Sequence, residues 1–522
     1  MKNLYLTRDF MQPTTIIKRA LLSVSDKTGL VEFARRLCAL DIEIISSGGT
    51  AKTLRDADLP VTDVADVTQF PEMMDGRVKT LHPKIHGGIL GLRDKHAQVA
   101  REHQIDWIDL VVVNLYPFAQ TIKKSSVTLD DAIENIDIGG PSMIRSAAKN
   151  MAWVGVIVDP TDYGTVISEL EANKNLSAAT RRELAAKAFG HTAEYDRVIH
   201  HYLQNENSTV PATDKLILEL DKFADLRYGE NPHQTASAYI IKNAPSGILS
   251  AKQLQGKQLS YNNIADADAA VACLQEYSQP ACVVVKHANP CGVAVADEPG
   301  KAFTRAFNAD AQSAFGGIIA LNRACDKKIA EEIWQVFVEV IIAPSFSPEA
   351  LSIFATKPNL RVLEYSSGKE ASTEYKFIRG GLLLQDRDSE PLDPDKLEVV
   401  TAAKPNSIDL ASMLFAWRTL KHIKSNAILL ATESATVGIG AGQVSRIDAV
   451  EIALRKAGKN VAGAILASDA FFPFRDSIDR IAGTGIRAVI QPGGSLKDKE
   501  VISACDEHGI AMIFTGKRCF KH

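Results

Sequence analysis

The chain has 522 residues, a formal net charge of −4, 23% charged and 7% aromatic residues. Its length exceeds one ordinary core, so roughly two to four domains are expected. The slight acidity excludes a chain-wide attraction to nucleic acid, and no apolar run reaches the length of a membrane span, so neither partner is expected.

Residues 1–13 lack the apolar core of a signal peptide and read as a loose tail. Residues 16–24 read as a strand, Ser25-Asp26-Lys27-Thr28-Gly29 as the turn after it, and residues 30–37 as a helix. Residues 41–46 read as a second strand, which ends in Ser47-Gly48-Gly49-Thr50 before another helix. Both joints offer free backbone N–H groups at the positive end of a helix, which suits a phosphate. Plain N-capping by Ser and Thr explains each joint equally well. Residues 70–88 read as a long polar loop in which Arg77, Lys79 and Thr80 form an anion grip. His82, His86 and His96 lie nearby without a carboxylate pattern, so a structural role fits them better than a metal.

Asp109–Val113 is all apolar after its first residue and predicts a strand of a parallel sheet, ending in Asn114-Leu115-Tyr116. A helix is expected near 129–135, then Asp137 and two glycines, a helix over 142–149 that ends in Lys149, and a strand over 153–158. This order marks a three-layer α/β domain with a parallel sheet. A helix over 177–202 closes it; residues 14–204 are read as the first domain, 205–215 as a polar linker and 216–522 as the second region.

The second region opens with Arg227-Tyr228-Gly229-Glu230-Asn231, a loop crowded with functional side chains. After a polar loop over 256–263 and an Ala-rich helix comes Ala281–Lys286, a buried strand that stops at Lys286-His287. Pro290 and Gly292 are expected to turn the chain there. Gly316 precedes a strand at Ile318, and Glu339 opens another that turns out at Pro344. Residues 377–384 read as one further strand, and 407–420 as a helix leading to Asn426. Seven cysteines without CxxC spacing predict free thiols in a reducing cytoplasm.

Three chemistries can be tested on these residues. Gly438-Ile439-Gly440-Ala441-Gly442 looks like a dinucleotide fingerprint, but Gln443 stands where the third glycine belongs. Pro290-Cys291 opens a zinc-deaminase pattern, but position 294 is Ala and no His-x-Glu accompanies it, so zinc is not expected. A scaffold would not end so many strands in Lys, His, Asn, Arg and Asp. Two phosphate-type sites point to a small anionic substrate; a nucleotide-binding regulator is the other reading.

Ser23-Val-Ser-Asp-Lys27-Thr-Gly, Ser47-Gly-Gly-Thr50, Gly76-Arg-Val-Lys79-Thr-Leu-His-Pro, Arg227-Tyr-Gly-Glu-Asn-Pro-His-Gln, Lys286-His-Ala-Asn-Pro-Cys-Gly and Asp469-Ala-Phe-Phe-Pro-Phe-Arg-Asp476 resemble, in order, the bifunctional purine-biosynthesis family that joins AICAR transformylase to IMP cyclohydrolase. The resemblance spans residues 16–522. It implies an N-terminal methylglyoxal-synthase-like α/β domain that closes formyl-AICAR to IMP. It also implies a C-terminal transformylase of cytidine-deaminase-like fold, in two related halves without zinc, that moves a formyl group from 10-formyltetrahydrofolate to AICAR. A homodimer is implied, and a monovalent cation is left open. Lys286, His287 and Asn426 fall together in the family's catalytic centre, where His287 suits a general base and Lys286 an oxyanion partner. Arg227, Tyr228, Arg446, Phe471 and Arg518 match nucleotide positions; Gly316 and Asp476 match the folate wall, and Glu339 stands where the family pattern has Asp. In the cyclohydrolase, Lys79, Lys149, Tyr116 and Asp137 match acid–base and oxyanion groups. Ser25, Lys27, Ser47, Thr50, Arg77, Thr80 and Asn114 match substrate contacts.

Overall fold

An apolar strand followed by an amphipathic helix recurs from residue 19 onward, and each such unit buries its strand between helices. The computed structural model describes residues 16–74, 77–124, 126–205, 216–242, 247–366, 368 and 372–522. The expected tail over 1–13 and linker residues 206–215 lie outside these. The chain divides into two compact units, Met1–Leu216 and Ile217–His522.

The first unit holds a sheet of five strands: β1 (Arg19–Val24), β2 (Glu43–Ser46), β3 (Thr62–Asp63), β4 (Leu110–Asn114) and β5 (Gly155–Ile157). All run parallel, in the order β3-β2-β1-β4-β5. The chain therefore reverses its direction of travel between β1 and β4, and a crevice opens at the strand ends there. The helices are α1 (Leu30–Ala39), α2 (Gly48–Arg55), α3 (Val64–Thr68), α4 (Pro83–Leu90), α5 (Ala97–Glu102), α6 (Phe118–Thr121), α7 (Leu129–Glu134), α8 (Gly139–Lys149), α9 (Tyr163–Asn173) and α10 (Ala178–Asn205). The polar stretch over 70–88 is not all loop. Helix α4 begins inside it, with Pro83 in its first turn and the His82 ring accepting from the Lys84 N–H at 3.1 Å. That helix shows little periodicity because only Ile85 and Ile89 are buried apolar side chains, while Gly87 and Gly88 lie where it packs closely on Ile105 and Asp106.

The second unit begins with a hairpin, β6 (Leu220–Leu226) and β7 (Ala236–Ile241). Two halves of like order follow. The first runs β8 (Lys252–Gln255), α11 (Tyr261–Leu274), β9 (Ala281–Lys286), β10 (Asn289–Val295), α12 (Pro299–Ala309), the short α13 (Ala311–Ala314), β11 (Ile318–Leu321), α14 (Lys327–Trp334), β12 (Val340–Ala343), α15 (Pro348–Phe354) and β13 (Arg361–Glu364). A second free-standing hairpin, β14 (Thr373–Ile378) and β15 (Gly381–Asp386), joins the halves. Residues 377–384 are thus not one strand: the chain reverses at Arg379-Gly380, where Gly380 has φ 75°. The second half repeats the first: β16 (Glu398–Val399), α16 (Ser407–Leu420), β17 (Ile428–Thr432), β18 (Ala435–Gly440), α17 (Arg446–Ala457), β19 (Ile465–Ser468), α18 (Asp476–Ile481), β20 (Ala488–Gln491), α19 (Asp498–His508) and β21 (Ala511–Phe514).

Both halves share one sheet of twelve strands, β16-β21-β20-β19-β17-β18-β10-β9-β11-β12-β13-β8, joined where β10 meets β18 antiparallel. Alternate residues of β9 serve opposite faces: Val283 and Val285 pack with α11 and α16, Cys282 and Val284 with α12 and α14. Register then sends the end of β9, the starts of β10, β11, β12 and β17, and the ends of β18 to β21 to one edge. That edge carries nearly every residue singled out in this half of the sequence. No described helix is long and apolar enough to cross a membrane.

Candidate active sites

In the first unit, the crevice between β1 and β4 is held by Asn114. Its side-chain oxygen accepts from the N–H groups of Ser25 and Asp26 at 2.6 and 2.8 Å, and its amide donates to the Asp26 carbonyl at 3.0 Å. Ser25 and Lys27 are exposed on the loop so fixed. Ser47 is the extended residue before α2, and no side chain caps that helix, so its first N–H groups stay open. Two ammonium groups approach them: a Cβ on Gly48 would lie 3.5 Å from Lys79 Nζ, and one on Gly49 would lie 3.5 Å from Lys27 Nζ. An anion placed here meets two cations and a helix dipole. Thr50, by contrast, spends its hydroxyl internally, accepting from Val24 N–H and donating to Val24 O, each at 3.0 Å.

Asp137 stands within the field of Lys79, half-buried ahead of α8. Gly140 N–H donates to its carboxylate at 2.8 Å. Burial pushes its carboxyl above the ordinary range, while the Gly140 N–H, the Lys79 charge and the Tyr116 N–H pull it back. Thr80 is buried with its hydroxyl at the first turn of α8: a Cβ on Gly139 would lie 2.7 Å from it. Tyr116 is exposed just past β4. Arg77 is paired with Glu134 on the surface. Lys149 is exposed at the far end of α8, some ten residues or about 15 Å along the helix from Gly139, so the chain does not bring it to the others.

In the second unit, β9 and β10 form a hairpin whose two-residue turn is His287-Ala288, with Lys286 paired to Asn289. Pro290 and Gly292, expected to turn the chain, lie inside β10 instead, at an irregularity of register. Gly292 is there because the helix α12 passes against the strand: a Cβ would meet the Ala306 carbonyl oxygen at 1.8 Å. Lys286 Nζ donates to the Phe315 carbonyl and lies 3.3 Å from where a Cβ on Gly316 would sit. Glu339, just before β12, accepts from Arg361 at 3.1 Å and Asn263 at 3.3 Å. The Arg227-Tyr228 loop is tied to the same side by Gln258, which donates to the Asp225 carbonyl, and by Asn262, which donates to that of Glu230. The Arg227 guanidinium rests over the Tyr228 ring at 5.5 Å.

On the same edge, a cavity of about 620 Å³ is lined by Asn426, Arg446, Phe471, Asp476 and Arg518, together with Phe474, Phe520 and the Gly493-Gly494 turn. Five residues named from sequence, spread over more than ninety positions, thus share one wall. Phe471 and Phe474 are exposed there, which gives an apolar face for a flat ring, and Arg518 lies over Phe520 at 5.0 Å. Arg446 and Asn426 are not free at this wall. Arg446 is buried and ion-paired with Asp469, which is wholly buried, and it also donates to Asn426 Oδ1 at 2.9 Å. Asn426 donates to the carbonyls of Gln443 and Val444 at 2.8 and 3.1 Å. Asp469 further accepts from the Ser425 hydroxyl. Asn289 links the hairpin to this cavity: its side-chain oxygen accepts from Lys424 N–H at 3.1 Å, two residues before Asn426. Sequence reasoning missed Asn289, Asp469 and Asp266, the last of which accepts from the His287 and Ala288 N–H groups at 3.2 and 2.6 Å. Asp469 lay inside a quoted motif; Asp266 stood in an Ala-rich helix with nothing local to mark it.

Gly438 and Gly440 of the apparent dinucleotide fingerprint lie in β18, where a Cβ would meet the carbonyl oxygens of Ala453 and Ala449 at 2.2 and 2.0 Å. They let α17 pack on the strand, and no phosphate loop is formed. Among the described residues, no group of three or more His, Cys, Asp or Glu is arranged to hold a metal.

Two α/β units, each gathering its polar side chains at one sheet edge, define a protein with a candidate small-molecule site in each unit. Residues 29–142 match the MGS-like domain family, and residues 147–456 match the family described as AICARFT/IMPCHase bienzyme. The chain belongs to the AICARFT/IMPCHase bienzyme family: it is a bifunctional enzyme of purine biosynthesis with formyltransferase and IMP cyclohydrolase activities. Among solved structures, the crystal structure of ForH is similar at 34% identity, over 37% of this chain and 99% of that chain, with a TM-score of 0.35.

Proposed function

We propose that the second unit transfers the formyl group of 10-formyltetrahydrofolate to the 5-amino group of AICAR, and that the first closes the resulting formyl-AICAR to IMP. The observation that carries this is the single edge shared by the Lys286-His287 turn and the aromatic, arginine-bearing cavity. In the transfer, the amine nitrogen bonds to the formyl carbon to give a tetrahedral intermediate, from which the bond between that carbon and the folate nitrogen then breaks. His287 takes the amine proton, which then passes to the folate nitrogen. Lys286 steadies the oxyanion of the tetrahedral intermediate. Phe471 and Arg518 hold the nucleotide, Asp476 and Gly316 face the folate, and Glu339 and Asn263 brace the wall beside Lys286. Asn426 and Arg446 act chiefly by shaping the cavity, since their hydrogen bonds are largely committed within the protein.

For ring closure, the carboxamide nitrogen attacks the formyl carbon and its oxygen leaves as water. Lys27, Lys79 and the open start of α2 hold the phosphate end, and Asp137 with its raised proton affinity moves the proton. The reading extends to a homodimer in the cytoplasm, with Lys149 acting at a site its own chain does not complete. The test uses full-length protein with AICAR and 10-formyltetrahydrofolate, following tetrahydrofolate and IMP separately. His287→Ala is expected to abolish tetrahydrofolate release while closure of supplied formyl-AICAR continues, and Lys79→Ala to do the reverse. Intact folate turnover in His287→Ala would refute the assignment.

A further inference from the structure

His287 and Ala288 both adopt left-handed backbone conformation, with φ of 51° and 57°. Two-residue hairpins that demand positive φ at both positions favour Asn and Gly, because a Cβ makes that conformation unfavourable. Here neither residue is Gly or Asn, so something outside the turn must hold it. That group is a carboxylate from a neighbouring helix. Asp266 Oδ1 accepts from Ala288 N–H at 2.6 Å and Asp266 Oδ2 accepts from His287 N–H at 3.2 Å. The two oxygens bind consecutive N–H groups, a charge-assisted clamp on the outside of the turn. Asn289 adds a third tie, donating to the His287 carbonyl at 3.1 Å.

We propose that Asp266 is a positioning residue of the formyl-transfer step: its carboxylate holds the His287-Ala288 turn in the left-handed shape that presents the His287 imidazole. The proposal rests on the reading of His287 as the base. Helix α11 is a firm anchor for this clamp, since Ala267 and Ala270 on its inner face are fully buried. The same helix carries Asn263, which donates to Glu339 across the site. One helix therefore touches both the hairpin tip and Glu339 in the wall beside Lys286. The sheet itself does not depend on Asp266. Strand β9 is paired on both sides, with β10 and β11, and its residues from Ala281 to Val285 are buried. Loss of the carboxylate should thus free the tip without unfolding the strands, and a base displaced by a fraction of an ångström loses rate more than it loses binding.

The test measures formyl transfer by full-length protein with AICAR and 10-formyltetrahydrofolate. Asp266→Ala is expected to lower kcat by about 20-fold or more with both KM values within about twofold, the signature of misplaced catalysis with binding intact. Ala288→Gly alone should change kcat by less than about twofold, and added to Asp266→Ala it should recover about fivefold or more, because Gly accepts positive φ without a clamp. A residue serving only the fold would show no such rescue. If Asp266→Ala does not fold, Asp266→Asn, which keeps one acceptor oxygen, is put through the same measurement with the same glycine partner. A kcat within about threefold of the parent in the Asp266 variant, or a loss that Ala288→Gly leaves unrepaired, overturns the inference. Failure of the underlying reading is seen separately: His287→Ala would then retain transfer, whatever Asp266 variants do.

Discussion

The Arg446–Asp469 pair offers the sharpest test of what supports the cavity. Arg446 is 7% exposed and Asp469 0%. Asp469 accepts from both Arg446 and the Ser425 hydroxyl, and Arg446 in turn holds Asn426. Replacing Asp469 with Ala strands a buried guanidinium, and removing one partner of such a pair costs about 3–5 kcal/mol. The unit spans residues 217–522. At about 2.1 cal/mol/K per residue, a unit of roughly 300 residues has an unfolding entropy near 0.6 kcal/mol/K, so the melting point should fall by about 5–8 °C. Differential scanning calorimetry of the full chain reads this in the transition of the second unit. The double variant Asp469→Asn with Arg446→Met leaves no buried charge and should recover much of the lost stability, since the attraction in such a pair barely exceeds its desolvation cost. Its formyl transfer should stay low, because Asn426 has lost the arginine that orients it. A melting point within about 1 °C of the parent in Asp469→Ala would refute the reasoning, as would a double variant no more stable than the single one.

Two further outcomes follow from the geometry. Because burial raises the Asp137 carboxyl above its ordinary 3.8, the folded state binds that proton more tightly than the unfolded chain does. Its contribution to stability is therefore full below the ordinary value and is lost as pH rises through the raised one. Asp137→Asn should remove that part of the pH dependence in thermal unfolding. It should also remove the rise in ring-closure rate as the carboxyl deprotonates, measured with supplied formyl-AICAR; an unchanged acidic limb would count against Asp137 as the base. Gly440→Ala drives a Cβ to 2.0 Å from a backbone oxygen of α17. Helix backbone cannot yield as a side chain would, so the cost should reach the upper part of the 1–3 kcal/mol range, about 2–3 kcal/mol, read as a lowered urea midpoint. An unchanged midpoint would show that β18 and α17 are not packed this closely.

Period and composition made most elements legible. The helix over 407–420 matches α16, and the strand expected at Ile318 is β11, because each is bounded by its own capping or turn residues. The start of α4 was hidden because Gly87 and Gly88 interrupt its short apolar face, leaving only Ile85 and Ile89 as buried apolar side chains. The turn after Lys286 was misplaced for a related reason. Pro290 and Gly292 have the chemistry of a turn, but pairing of β9 with β10 puts the reversal two residues earlier. A register set by pairing along the whole of both strands overrode a local propensity.

By itself the sequence determined the alternation of strand and helix, the residue types at the strand ends and, through its motifs, the family. Those follow from short-range chemistry, which is written in neighbouring residues. Only the tertiary structure decided which of those side chains stay available. Thr50, Asn426 and Arg446 have the right chemistry for ligands, yet their polar atoms are largely committed to Val24, to the 443–444 backbone and to Asp469. Lys149 shares a helix with Gly139 but lies at its other end. Asp266 acts on amides 21 and 22 residues further along the chain. A hydrogen bond of that kind depends on where a helix docks against a sheet, and docking is settled by the whole buried core rather than by any stretch of chain.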